Sequence, residues 1–427
     1  MAYAITERTN EFGEKYYYAK HKSGLDVYVI PKDFATNYAV FATKYGAIDN
    51  CFKVEGEHDF HEVPDGIAHY LEHKMFENED GVDTFSRFAK YGANANAYTS
   101  ATMTAYLFSC TNHLTENLEI LLDYVSKPYF TQANVDKERG IIEQEIRMYE
   151  DNPSSAIYYN LLQAMYEKHQ TRVDVVGTVD SIAKITPELL YDCYYTFYNY
   201  SNMTLCVSGR ATMEEVLEIA DRTLPEREQK KIERRYHEEK PEVFKKRVSQ
   251  EFPISRPIFL IGIKDMDISA DAEIRMKKRV AMSILTDMLF GPTSDFAIDV
   301  YESGLVNGFE ASYDHGKDSS RIFLDGETDE PETVYDAFVS YIGETRKNGL
   351  SEEDFERIKR ASYASYIKVF DSTKLAGEFT HMIHDECDPF AFGTALKNVT
   401  FHEVQTLFET LFKEEYYAMS VVTPKQA

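Results

Sequence analysis

The order of secondary-structure signals along this chain repeats once, and that repetition is the tightest constraint on what it can fold into. The apolar skeleton of AHYLEHKMFEN (Ala68–Asn78) recurs in MSILTDMLFGP (Met282–Pro292), and KERGIIEQEIRMYED (Lys137–Asp151) runs parallel to RIKRASYASYIKVFD (Arg357–Asp371). Any two amphipathic helices share a periodicity, but here order and spacing agree as well. Strand patterns at Leu25–Ile30, Ala39–Tyr45, Thr102–Phe108 and Met203–Ser208 alternate with helical ones at Gly66–Glu77, Thr115–Ser126, Val135–Tyr149 and Pro187–Tyr198. A second series follows: strand Ile258–Ile263, helix Ile274–Leu289, strand Ser320–Leu324, helices Glu332–Thr345 and Glu352–Tyr366, and strand Met419–Val422. Between the two lies PEREQKKIERRYHEEKPEVFKKR (Pro225–Arg247), whose density of charge reads as an interdomain linker. The expectation is two α+β domains of similar size, residues 1–224 and 248–427, joined across 225–247.

The repeat keeps the packing and loses the chemistry. Where the first copy has His69, Glu72 and His73, the second has Ser283, Thr286 and Asp287; opposite Glu145 stands no carboxylate. Function is therefore expected in the first half. His69 and His73 are four apart, so on a helix their rings share one face and both can reach one cation. Glu72 stands three after His69 and one before His73, at the edge of that face, where a carboxylate can take a proton from a water beside the cation. This is the order H-x-x-E-H, the inverse of the zincin arrangement. Two neutral imidazoles, a carboxylate and an open position suit Zn²⁺ and peptide hydrolysis. Two histidines on a helix can also be a surface accident, so a third ligand is required. The helix over Val135–Glu150 offers Glu138, Glu143, Glu145 and Glu150. Glu138 and Glu145, seven apart, share a face and Glu143 points elsewhere, but spacing does not choose among them.

Composition narrows the alternatives. A formal net charge of −26 argues against nucleic-acid binding, which rewards clustered Lys and Arg. The five cysteines are scattered, with no C-x-x-C pair, so neither a disulfide framework nor a thiolate zinc site is expected, and a reducing compartment fits best. The first twenty residues contain no apolar signal-peptide core and no apolar run reaches the length of a membrane span; the expected location is the cytoplasm, with no membrane partner.

With these residues in view, the chain resembles the insulinase/pitrilysin family of inverted-motif zinc peptidases, in its bacterial processing-peptidase-like branch, over nearly its whole length. HYLEH (His69–His73) is similar to the family's metal helix, and the stretch from Glu138–Arg139 to Glu145 to its second glutamate helix. The resemblance implies Glu145 as third zinc ligand, Glu138 as a carboxylate that orients the ligands from behind, and Glu72 as general base. GANANAYTSATMTAY (Gly92–Tyr106) is similar to the family's substrate-edge strand. That implies substrate binding at Asn96, Ala97, Tyr98 and Thr99, the peptide adding as an extra β-strand. Asn96 also reads as a turn residue at the strand's start. The alternation of Thr102, Thr104, Tyr106 and Phe108 with Met103, Ala105 and Leu107 is the strand signal in this region.

One departure bears on mechanism. The family pattern R-x-x-x-G-L-x-Y supplies an Arg and a Tyr from a second-half domain; here VYESGLVNG puts Val300 and Asn307 in their places. The resemblance thus implies the catalytic half of a two-chain clamshell, a homodimer or a heterodimer with a related subunit carrying the Arg/Tyr pair. Each chain would comprise two α/β roll domains, mixed or antiparallel sheets flanked by helices, the second degenerate in its metal site. The activity implied is that of a zinc metalloendopeptidase acting on peptides or unfolded segments in an enclosed chamber. The alternatives are a non-catalytic interaction subunit and a metal-dependent hydrolase of non-peptide substrates. Two further histidine pairs, His381/His384 and His58/His61, read as a surface or interface feature and a solvated loop rather than as second metal sites.

Overall fold

Fifteen strands organise residues 3–425, which the computed structural model describes, into three sheets. In chain order they are β1 (Ile5–Thr9), β2 (Lys15–Lys20), β3 (Asp26–Pro31), β4 (Asn37–Thr43), β5 (Cys51–Val54), β6 (His61–Glu62), β7 (Asn94–Thr99), β8 (Thr104–Cys110), β9 (Met203–Gly209), β10 (Ile232–Arg234), β11 (Arg247–Phe252), β12 (Ile258–Asp265), β13 (Asn307–His315), β14 (Ser320–Glu327) and β15 (Tyr417–Pro424). A seven-stranded sheet runs β1-β2-β3-β9-β4-β8-β7, a three-stranded one β10-β5-β6, and a five-stranded one β11-β15-β12-β14-β13.

The duplication is visible in the topology. The run β3-β9-β4-β8-β7 has the same order and directions as β11-β15-β12-β14-β13: its first pair is parallel and the other three are antiparallel. Equivalent connections carry equivalent helices. Helix Ile67–Lys74 lies between β4 and β7, and helix Ala272–Phe290 between β12 and β13; helix Gln132–Glu150 lies between β8 and β9, and helix Glu352–Val369 between β14 and β15. The expected α+β class, two homologous domains with mixed sheets flanked by helices, is the observed one. Central position explains sequence: β9 is buried at every residue, so MTLCVSG carries no solvent-facing alternation.

Two compact units result, and neither is continuous in sequence. The first holds the described residues up to Arg147 with Val173–Tyr236 and Val369–His384; the second holds Met148–Arg172, His237–Lys368 and the described residues from Asp385 onward. Within the second unit, helix Pro153–Met165 packs where β12 has Gly262; a Cβ there would stand 2.6 Å from Met165 Sδ and 3.0 Å from Leu161 Cδ2. Within the first, helix Leu375–His384 packs on β4 and β9, with Phe379 edge-on to Tyr16 at 5.8 Å and the Ala376 N–H donating to Ser208 Oγ at 3.3 Å. In the segment 225–247, Ile232–Arg234 pairs with β5 and Arg247 opens β11.

The alternation read over Thr102–Phe108 belongs to β8, the inner neighbour. The edge strand is β7, whose NANAYT alternates Asn with Ala, a weak signal because alanine adds little apolar contrast and both residue types are uncommon in strands.

In the second unit, Glu310 and the half-buried Asp325 face each other directly across β13 and β14. Burial, with Glu310's charge second, raises the Asp325 carboxyl from 3.8 to about 6. The folded chain therefore holds a proton that the unfolded chain releases, so stability falls as pH rises from about 4 through about 6 and the penalty is fully present at neutral pH. Discounted for partial exposure, it amounts to about 1 kcal/mol. Asp325→Asn is expected to raise Tm by about 2 °C at pH 7.5 and by much less at pH 4, measured by calorimetry; equal gains at both pH values would exclude the carboxylate as the cause.

Candidate metal centre

Gly66 sets the entry of the helix that carries the histidines. It is the N-cap residue of Ile67–Lys74 at φ +85°, and a Cβ there would meet the Val176 carbonyl oxygen at 2.5 Å, so only glycine fits. The helix is buried nearly all round and is tied to the second glutamate helix at its start. The Tyr70 hydroxyl donates to the Val135 carbonyl at 2.5 Å, and buried Lys74 donates to the Asn134 carbonyl at 3.2 Å while pairing with Glu77 at 2.8 Å. Those bonds bring Gln132–Glu150 alongside the histidine face.

His69 and His73 leave successive turns with ring centroids 4.6 Å apart. Glu145 approaches both: Oε1 lies 3.8 Å from His69 Nε2 and Oε2 lies 3.5 Å from His73 Nε2. One donor atom from each of the three lies within 4.8 Å of the others, the only such cluster of three or more His, Cys, Asp or Glu side chains among the described residues. Ligands at about 2.0–2.1 Å around a tetrahedral zinc stand roughly 3.3 Å apart, so small side-chain adjustments would close the set.

The electrostatics fit a cation. Burial, with His73's charge second, lowers His69 to about 3, so its imidazole is neutral near pH 7; its Nδ1 is buried with no hydrogen-bond partner. A neutral ring keeps a lone pair for a metal. At His73 burial opposes the charged form, but the hydrogen bond to Glu138 and the charges of Glu72, Glu138 and Glu145 outweigh it and raise the pKa above 6.5. Three carboxylates around one imidazole make a negative pocket that a divalent cation would relieve. Glu138 Oε1 stands 3.0 Å from His73 Nδ1 and orients that ring with Nε2 toward Glu145. Glu143 and Glu150, offered by the same helix, are not in the cluster.

Glu72 is 8% exposed and accepts a hydrogen bond at 2.7 Å from the Thr99 hydroxyl. Burial is the main cause of its raised pKa; Thr99 and His73 oppose it and Glu145 adds to it. With His73, Glu138, Asn96 and Ala97 it lines an open cleft, whose far wall includes Phe76 and Phe85 stacked at 4.6 Å. β7 borders that cleft. Asn96 is its third residue, within the strand rather than at a turn before it, and its Oδ1 accepts from the Ala97 N–H at 2.9 Å. Thr99 faces Glu72, while Tyr98, on the opposite face by strand alternation, meets His381. The sequence reading paired neither. It also missed helix Thr84–Lys90, which brings Phe85 to the cleft; TFSRFAK is too short for a clear helical period.

The second copy has no such cluster among the described residues. Thr286 is buried with its hydroxyl unpartnered, and Val300 is a core residue of helix Asp295–Glu302, while the Asn307 amide lies 3.3 Å from Glu327. His384 is buried with both ring nitrogens unpartnered, and His61 pairs with Glu57 at 3.2 Å on the surface.

Residues 59–179 match the family Insulinase (Peptidase family M16), and residues 184–362 match the Peptidase M16 inactive domain. His69, Glu72, His73 and Glu145 fall in the first match, Val300 and Asn307 in the second. Over 423 residues the chain is 37% identical to the uncharacterized zinc protease YmfH of Bacillus subtilis (strain 168), covering 96% of this chain and 97% of that one. The mitochondrial-processing peptidase subunit beta of Bos taurus is 28% identical over 163 residues, 37% of this chain and 33% of its own length. Among solved structures, an M16-like peptidase from Alicyclobacillus acidocaldarius superposes with a TM-score of 0.90 at 33% identity, covering 100% of this chain and 99% of that one.

Proposed function

The chain belongs to the insulinase family of peptidases, peptidase family M16, and on that premise we propose that it is a zinc metalloendopeptidase of extended or unfolded peptides. The observation that carries the proposal is the convergence of His69, His73 and Glu145 from two helices onto one point beside the buried carboxylate of Glu72. Zinc held by those three residues would supply Lewis acidity, acidifying water and polarising the scissile carbonyl. Glu72 takes the proton from the attacking water and returns it to the leaving amine. Glu138 fixes the His73 ring, and Thr99 fixes the Glu72 carboxylate. The open edge of β7 holds substrate main chain as an added strand, with Asn96 and Ala97 lining the cleft, so sequence preference comes from side-chain pockets alone.

Thr99→Val removes the hydrogen bond at nearly constant volume. It is expected to lower kcat about tenfold with KM changed less than about twofold, in steady-state assays on a quenched peptide. A change confined to KM would place Thr99 in substrate binding alone.

Val300 and Asn307 stand where the family's Arg and Tyr are expected, so we read the chain as one half of a clamshell. The other half is a second copy or a related subunit that supplies the pair. The relative that is by name a subunit of a processing peptidase supports that reading. No described helix is long and apolar enough to cross a membrane, and all five cysteines are free, in keeping with a cytoplasmic placement.

The test is zinc analysis and quenched-peptide hydrolysis on the purified chain together with whatever protein co-purifies. Expected are about one zinc per chain and hydrolysis that chelation removes and zinc restores. Bound zinc without turnover, even beside the partner, would favour the alternative of a non-catalytic interaction subunit. Turnover of esters but not peptides would favour a different hydrolase.

A further inference from the structure

The edge strand β7 has weak reasons of its own to be a strand. Asparagine and alanine, which make up NANA, are depleted in sheets, and among the described residues only β8 pairs with it. Its last two residues are held from opposite faces. Thr99 donates to Glu72 on the metal-helix face at 2.7 Å. On the other face the Tyr98 hydroxyl lies 3.1 Å from His381 Nε2, with the two rings stacked at 17° and 6.0 Å between centroids. His381 stands on helix Leu375–His384, part of the short late segment Val369–His384 that belongs to the unit bearing the metal cluster. That helix is anchored independently of β7 through Phe379 against Tyr16 and Ala376 on Ser208, and its Gly377 lies close to Tyr38.

We infer that His381 is a positioning residue: through Tyr98 it latches β7 from the face opposite the metal helix and keeps the strand's open edge in register for the incoming peptide. The inference rests on the peptidase reading for its consequence, but the latch itself does not. A peptide that adds to an edge strand binds through main-chain groups, so its affinity depends on how much ordering the strand still requires. The latch supplies that order before the substrate arrives. The bond and stacking that form it reach neither the metal ligands nor Glu72, and Thr99 keeps its own bond to Glu72 without it, so its loss is felt in binding rather than in turnover.

The test uses the full chain with its partner and three variants: His381→Ala, Tyr98→Phe and His381→Gln, whose amide can replace Nε2. Hydrogen–deuterium exchange of the peptide covering 94–99 is expected to quicken about fivefold in the first two and to stay within about twofold of wild type in the third, with 104–110 unchanged in all. In peptide hydrolysis KM should rise about fivefold in the first two with kcat within about twofold, again rescued by His381→Gln, and with zinc content unchanged. Wild-type exchange over 94–99 in His381→Ala would overturn the latch. So would His381→Gln behaving like His381→Ala, or zinc and kcat falling together in the variants. A wild-type enzyme that hydrolyses no peptide would count against the peptidase reading, and the exchange data would still decide the latch.

Discussion

Glu72→Gln is expected to lower kcat for peptide hydrolysis about a thousandfold while zinc stays bound and the fold is unchanged. General-base assistance contributes roughly 10²–10⁴ in rate, and of the carboxylates lining the cleft Glu138 is taken up by His73, Glu77 by Lys74 and Lys137, and Asp83 by capping its helix, which leaves Glu72. Glutamine preserves shape and can still accept the Thr99 hydrogen bond through its carbonyl, so packing at this buried site survives. The amide cannot take a proton from water. Zinc content and KM should remain within about twofold of wild type. If kcat fell less than about tenfold, Glu72 would be a structural carboxylate and the base would have to be sought elsewhere.

Glu145→Gln is expected to weaken zinc binding more than about a hundredfold. Changing groups that only orient metal ligands costs about 10–100-fold in affinity, and Glu145 is placed to bind directly. The variant keeps the helix and loses the negative charge facing both imidazoles. Because a ligand that binds only the folded state stabilises it by mass action, zinc should raise the wild-type Tm and leave the variant's nearly unmoved. Glu138→Gln provides the contrast: a weaker loss, about tenfold, through a less restrained His73 ring. Competition titrations with a chelating dye would rank the three proteins. A Glu145→Gln chain that bound zinc as tightly as wild type would remove this residue from the ligand set.

Much of the site could be read before the fold was known, because helical spacing is a rigid ruler. Residues four apart on a helix meet on one face whatever surrounds them, so His69, His73 and Glu72 announced themselves. Glu145 did not. Its choice over Glu138, Glu143 and Glu150 depends on how two helices distant in sequence cross, and that is set by Tyr70 on Val135 and Lys74 on Asn134. The duplicated order of strands and helices was legible for a similar reason, since a buried strand such as β12 writes a continuous apolar run, IFLIGI. The edge strand wrote only a faint pattern: NANAYT alternates Asn with Ala, but alanine adds little apolar signal and both residue types are uncommon in strands. Nor did any local pattern say that helix Pro153–Met165 packs over Gly262, or that His381 returns to meet Tyr98. Those are long-range choices made by fit.

The unpaired side of β7 also explains the blandness of its residues. Exposed backbone donors and acceptors in a row invite any extended chain, another copy of the same protein included, and oily side chains along such a row would turn a receptive surface into a seed for aggregation. Asn94, Ala95, Asn96 and Ala97 give a passing chain little to adhere to except its own main chain. On the proposed reading of β7 as the substrate edge, visitors would be released as readily as they are admitted, and restraint of this kind would be a condition of turnover.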